Sequence, residues 1–200
     1  MFYLPRLKQI QTPAQLQAYS TEYEACSGLP IPADYLQAAK NRVFGLFYQG
    51  ELIGGFVLGS QTDFRTIQFF AAAEHQAALY DEMGSLDQYT EITCFFIKKQ
   101  FRTNTFLNFS TWLGMTYAIR RYGKKQLLFG TNSPSLARLY SQTHRSVPFH
   151  EDRVKGKPTF IFRGERHHSV LGMLAIMRHK LQRVWTVNRL GSKRRSAAMS

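Results

Sequence analysis

The segment from Glu91 to Gly130 restricts the possible folds more than any other part of the chain. EITCFFIKK (91–99) is rich in β-branched and aromatic residues and reads as a strand. A loop follows at 100–104. Leu107, Trp112, Met115, Ala118 and Ile119 then recur at the spacing of one helix face, which predicts a helix over 105–122. Gly123 ends it, and KKQLLFG (124–130) reads as a short buried strand. Strand, helix and strand in succession fit a right-handed crossover, the unit that sets two strands parallel in one sheet.

The flanking sequence extends the same sheet. VFGLFY (43–48) and LIGGFVLGS (52–60) are two strand-like runs separated by Gln49, Gly50 and Glu51, a hairpin signature in which Gly50 supplies a positive φ. TIQFF (66–70) is expected to extend the sheet, and 71–89 to be helix or loop punctuated by Gly84. Upstream, residues 2–10 alternate loosely. Thr12 and Pro13 mark the start of a helix over 13–25 that buries Leu16, Tyr19 and Tyr23. A short helix follows at 33–41. Asn132 is read as the cap of a helix running to about 143, with Pro134 in its first turn. PTFIFRG (158–164) is the last strand. Residues 169–187 form an amphipathic helix, and LGSKRRSAAMS a disordered tail.

Charge is unevenly distributed over the 200 residues, whose net charge is +13. Residues 163–200 hold nine Lys and Arg against Glu165 alone, or +8, which leaves +5 for residues 1–162. Such a tail is drawn to anionic surfaces. Cys26 and Cys94 stand far apart, which suits a reducing compartment and excludes a disulfide scaffold. No long apolar stretch opens or interrupts the chain, so a cytoplasmic protein is expected, with the terminal helix either packed on the domain or attached with 169–195 to an anionic membrane surface. His144, His150, His167 and His168 show no zinc-type spacing with the cysteines, and no metal is expected. No nucleic-acid recognition motif accompanies the charge. Ser133 and Cys94 have no partner base within the sequence pattern, so nucleophilic catalysis has little support.

The order strand, two helices, hairpin, strand, long helix, strand, helix, strand resembles the GNAT superfamily of N-acyltransferases, over about residues 2–164. The strand–loop–helix from Glu91 to Gly123 is similar to the family's acyl-donor motif, and GTNSPSLARLYSQTHRSVPF (130–149) to its strand–helix–strand segment. The relatives that suit the chain are N-acyl amino acid synthases and acyl-homoserine lactone synthases. The fold implied is α/β (α+β): a mixed, mostly antiparallel sheet with splayed parallel middle strands, flanked by helices. Residues 1–164 would form the acyltransferase domain and 165–200 a basic amphipathic helix and tail.

The same resemblance implies a set of roles. Glu91 would act as base for an incoming amine and Tyr140 as acid for the leaving thiolate. Backbone amides of Phe96, Ile97 and Lys98 would hold the thioester oxygen or the pantetheine arm. Arg102, Thr103, Asn104 and Thr105 would meet the donor's phosphate at the helix N-terminus, with Asn132 near the donor arm. Thr105 and Leu107 stand where the family has small residues. Their side chains would narrow the phosphate site. That departure points to a long-chain acyl-CoA or an acyl carrier protein thioester (acyl-ACP) as cosubstrate, with no permanently bound cofactor. An acidic carrier protein suits a basic chain. The other reading is a non-catalytic GNAT-like module that docks on a membrane or an acidic protein.

Overall fold

The computed structural model describes residues 4–143, 147–175 and 178. Seven strands form one sheet: β1 (Arg6–Ile10), β2 (Asn41–Tyr48), β3 (Glu51–Gly59), β4 (Tyr89–Ile97), β5 (Gln126–Thr131), β6 (Val147–Val154) and β7 (Lys157–Glu165). Their order is β1-β2-β3-β4-β5-β7-β6. Every neighbouring pair is antiparallel except β4 and β5, which run parallel from Tyr89↔Gln126 to Ile92↔Phe129. The helix between them, α5 (Thr105–Tyr122), makes the expected crossover.

Alternation along the strands sends side chains into two layers. Val57, Leu128 and Ile161 face one side, where they meet α1 (Pro13–Ser27), α2 (Ala33–Gln37), α3 (Arg65–Phe70) and α4 (Ala73–Met83). Phe56, Leu58, Leu127 and Phe162 face the other, against α5 and α6 (Pro134–Thr143). Helix α1 is set by its own sequence. The Thr12 hydroxyl accepts from the Gln15 amide at 3.4 Å, Pro13 opens the first turn, and Leu16, Tyr19 and Tyr23 are buried as the periodicity requires. The β2–β3 connection is a two-residue turn with positive φ at both Gln49 (53°) and Gly50 (85°).

Some expectations are corrected. TIQFF is helix α3 and no strand. Phe64 and Ile67, three apart, sink into the cluster around Leu128 and Ile161, and this packing overrides the β-propensity of the run. The second helix ends at Gln37. The helix beginning at Pro134 is capped by Ser133, whose Oγ accepts from the Leu136 amide at 3.4 Å, while Asn132 is exposed. Residues 169–175 are helical; the remainder of the amphipathic helix and the tail, Arg178 apart, lies outside the described residues. Among the described residues no helix is long and apolar enough to cross a membrane.

Candidate active site

The parallel pairing of β4 and β5 stops at Ile92↔Phe129, although both strands continue. An extra residue in β4 diverts it. Between the pairs Gly55↔Phe96 and Val57↔Thr93, β4 spans one residue more than β3, and Cys94 takes a positive φ of 52°. A bulge of this kind bends its strand away from its neighbour. Tyr19 pins it: the fully buried hydroxyl donates to the Cys94 carbonyl at 2.7 Å. On β3, Gly55 leaves room for the Tyr19 ring, which a Cβ would approach to 2.5 Å.

The splay opens a cleft of about 570 Å³ that passes through the sheet. Tyr23, Leu29, Thr66 and Phe70 line it from the α1–α4 side. Asn108, Trp112, Met115 and Tyr140 line it from the α5–α6 side. Its walls are mostly apolar, with a few polar groups, the usual makeup of a small-molecule site. Trp112 lies tilted against Phe95 at 5.6 Å between centroids, and Tyr140 stands edge-on to Phe129 at 5.1 Å. Burial pushes the Tyr140 phenol well above its ordinary range, so it holds its proton.

Glu91 is 2% exposed and lies behind the cleft wall; it is not among the lining residues. Tyr35 donates its hydroxyl to Oε2 at 3.0 Å, and the Thr66 amide donates to Oε1. Burial raises the Glu91 carboxyl above the usual glutamate value; the Thr66 and Tyr35 hydrogen bonds oppose that shift without cancelling it. Thr66 does line the cleft. Its hydroxyl is buried and lies beside the Glu91 carboxylate. Beneath it, Arg65 is 7% exposed, donates Nη2 to the Pro30 carbonyl at 2.6 Å and sits 4.1 Å over the Phe69 ring. The Cys94 thiol is pushed up to about 11 by burial, which leaves it protonated and poorly nucleophilic.

The donor-motif residues divide. Lys98 spends its amide on the Ile53 carbonyl at 2.8 Å and its ammonium on Glu22 (2.7 Å) and Glu51 (2.9 Å). Because N–H direction alternates along a strand, the Ile97 amide points to the open side of β4 and the Phe96 amide back to β3. Arg102 lines the cleft and turns its Nε onto the Ile97 carbonyl at 2.7 Å. Asn104 caps α5, its side chain accepting from the Leu107 amide at 3.1 Å. No hydrogen bond of the described residues uses the amides of Thr103, Thr105 or Phe106. Thr103 and Thr105 are exposed beside them. Leu107 does not narrow this place: at the third position of the helix it faces the sheet, 1% exposed, in a cluster with Leu46 and Ile53. Asn108, which the sequence does not single out, donates to the carbonyls of Arg102 (2.6 Å) and Asn104 (2.9 Å) and so holds the loop closed upon the helix. Asn132 lines the cleft on the far side of the splay.

A sheet parted at its single parallel pair by a bulge, with a helix N-terminus at the mouth of the gap, is the GNAT fold. The solved structures agree. FeeM, an N-acyl amino acid synthase from uncultured soil microbes, superposes with a TM-score of 0.62 at 18% identity, over 87% of this chain and 98% of its own. The ribosomal-protein-S18-alanine N-acetyltransferase from Escherichia coli gives 0.56 at 8% identity, over 81% and 94%. An acetyltransferase assigned to the GNAT family from Desulfovibrio desulfuricans gives 0.55 at 10% identity, over 82% and 99%. No family model and no curated protein matches the sequence.

Proposed function

We propose that the chain is an N-acyltransferase that moves an acyl group from a thioester to an amine. The observation that carries this reading is the cleft through the splay, with a buried carboxylate behind one wall and a protonated phenol on the other. The amine enters from the α1–α4 side and attacks the thioester carbonyl. A C–N bond forms and the C–S bond breaks. The proton leaving nitrogen passes through the Thr66 hydroxyl to Glu91, because the carboxylate itself does not reach the cleft. Tyr140 protonates the departing thiolate. The Ile97 amide holds the donor along β4, and the amides of Thr103, Thr105 and Phe106 take its phosphate at the start of α5, where the helix dipole adds positive charge. Arg65 lies outside the cleft lining but beside Tyr23 and Cys94, which line it, so its cation sits close behind the acceptor end. That favours an amine bearing a carboxylate, an amino acid being the simplest.

The donor is a long acyl chain. Phe95, Trp112, Met115, Leu136 and Met173 offer it an apolar bed within the cleft. A carrier protein thioester suits the surface: from Ile92 to His150 the chain has nine Lys and Arg and no acid. Lys99, Arg102, Arg120, Arg121 and Lys125 of that set are exposed. The helix that starts at 169 adjoins the cleft through Met173 and exposes Leu171 and Leu174. Reversible contact of 169–195 with an anionic membrane would bring an acyl product directly to lipid. Titration calorimetry with acetyl-CoA, palmitoyl-CoA and palmitoyl-acyl carrier protein tests the reading. Binding should strengthen in that order. Failure to bind any of the three would favour a non-catalytic module, and tight acetyl-CoA binding would overturn the long-chain donor.

A further inference from the structure

On the α3–α4 side of the sheet, outside the cleft lining, three side chains from distant parts of the sequence converge. His75 lies in the first turn of α4. His150 and Asp152, two residues apart on β6, project from the same face of that edge strand. Asp152 Oδ2 is 2.8 Å from His75 Nδ1 and 3.2 Å from His150 Nε2. All three potential ligand atoms lie within 4.8 Å of one another, and the two imidazole rings meet edge-on at 5.2 Å. None of the three lines the cleft.

We propose that His75, His150 and Asp152 form a binding site for a first-row divalent cation, with zinc the best fit to the ligand set. Two imidazoles and one carboxylate are the donor types zinc accepts, and a tetrahedral ion would separate its ligand atoms by roughly 3.3 Å. The two imidazole nitrogens stand at 2.8 and 3.2 Å from Asp152 Oδ2, close enough for small side-chain shifts to admit the ion. The hydrogen bonding also favours an ion over a plain network. Oδ2 receives the Ala72 amide at 2.8 Å in addition to both imidazoles, three donors on an oxygen with two lone pairs. One cation in place of the two imidazole protons relieves that crowding. The Ala72 amide, and the Arg153 amide on Oδ1 at 2.6 Å, then remain as the outer hydrogen bonds that orient a ligating carboxylate. Access fits as well. The Asp152 and His150 side chains are 13% and 19% exposed and held in place, whereas His75 is 50% exposed and leaves a path for the ion and a water as fourth ligand. A bound ion would clamp the edge strand β6 to α4.

Chelator-treated full-length protein should be titrated with zinc chloride by calorimetry. Glu165, His167 and His168 form a second, more exposed group with close ligand atoms, so the titration belongs in a His167→Ala/His168→Ala background. One zinc per chain is expected, with at least about 100-fold weaker binding in His75→Gln and in Asp152→Asn. His75 is half exposed, so its replacement leaves the fold intact. X-ray absorption of the loaded protein should show two imidazole nitrogens and carboxylate oxygen at the metal. Absence of stoichiometric zinc, or equal binding by the His75→Gln variant, overturns the site. Neither outcome bears on acyl transfer.

Discussion

At the scale of single residues, Glu91 and Thr66 carry the sharpest tests. The folded state favours the neutral form of Glu91, so ionising it costs the fold. Wild-type stability should therefore fall as pH rises from the ordinary glutamate value, 4.5, toward the raised one. Glu91→Gln removes that loss, and Tyr35 can turn its hydroxyl to accept from the new amide. The melting temperature of the variant relative to wild type should thus increase between pH 4 and pH 8, while acyl transfer to an amine is lost. A constant difference across that range would show that Glu91 is not raised. Thr66→Ser should keep most of the transfer rate. Thr66→Val, of the same shape but without the hydroxyl, should lower kcat about 100-fold or more if the hydroxyl is the proton's route. Equal rates for the two variants would remove Thr66 from the pathway. The sequence brings Glu91 forward only through the family resemblance, and the strand in fact begins two residues earlier, at Tyr89. Thr66 was not legible in the sequence, since it lies in a run that looks like a strand and matters only by its position over Glu91.

At the scale of elements, α5 and β3 are decided by small polar and small apolar choices. Asn104→Ala should destabilise the protein by about 1 kcal/mol through loss of the α5 cap, readable by urea unfolding. Asn108→Leu leaves the Arg102 carbonyl without its donor, while the Asn104 carbonyl keeps the Asn108 backbone amide. It should weaken donor binding at the loop by calorimetry more than it lowers the melting temperature. Gly55→Ala pushes a methyl group against the Phe44 carbonyl and the Tyr19 ring. The cost should be about 1–3 kcal/mol, with the bulge at Cys94 displaced. Periodicity made α1, α5 and the β2–β3 hairpin readable, because each has a run long enough to show its period. α3 was misread because six residues with aromatic and β-branched side chains carry no period of their own; the pocket beside Leu128 and Ile161 decides their conformation.

At the scale of the whole molecule, the amino-acid sequence by itself determined the crossover from Glu91 to Gly130, the antiparallel hairpin before it, the buried face of α5 and the concentration of positive charge toward the C-terminus. These are local or additive properties: a repeat of 2 or 3.6, a cap, a sum of charges. The tertiary structure alone decided where β4 leaves β5, since the bulge at Cys94 depends on a Tyr19 hydroxyl 75 residues away. It also engaged Lys98 with Glu22 and Glu51, and set Thr66 between Glu91 and the cleft. It brought His75 to His150 and Asp152, a meeting that no spacing in the chain announces. The physical reason is common to all of these. Side-chain partners across a sheet are chosen by register and packing, which involve residues far apart in sequence, whereas a single stretch of sequence records only the preferences of its own backbone.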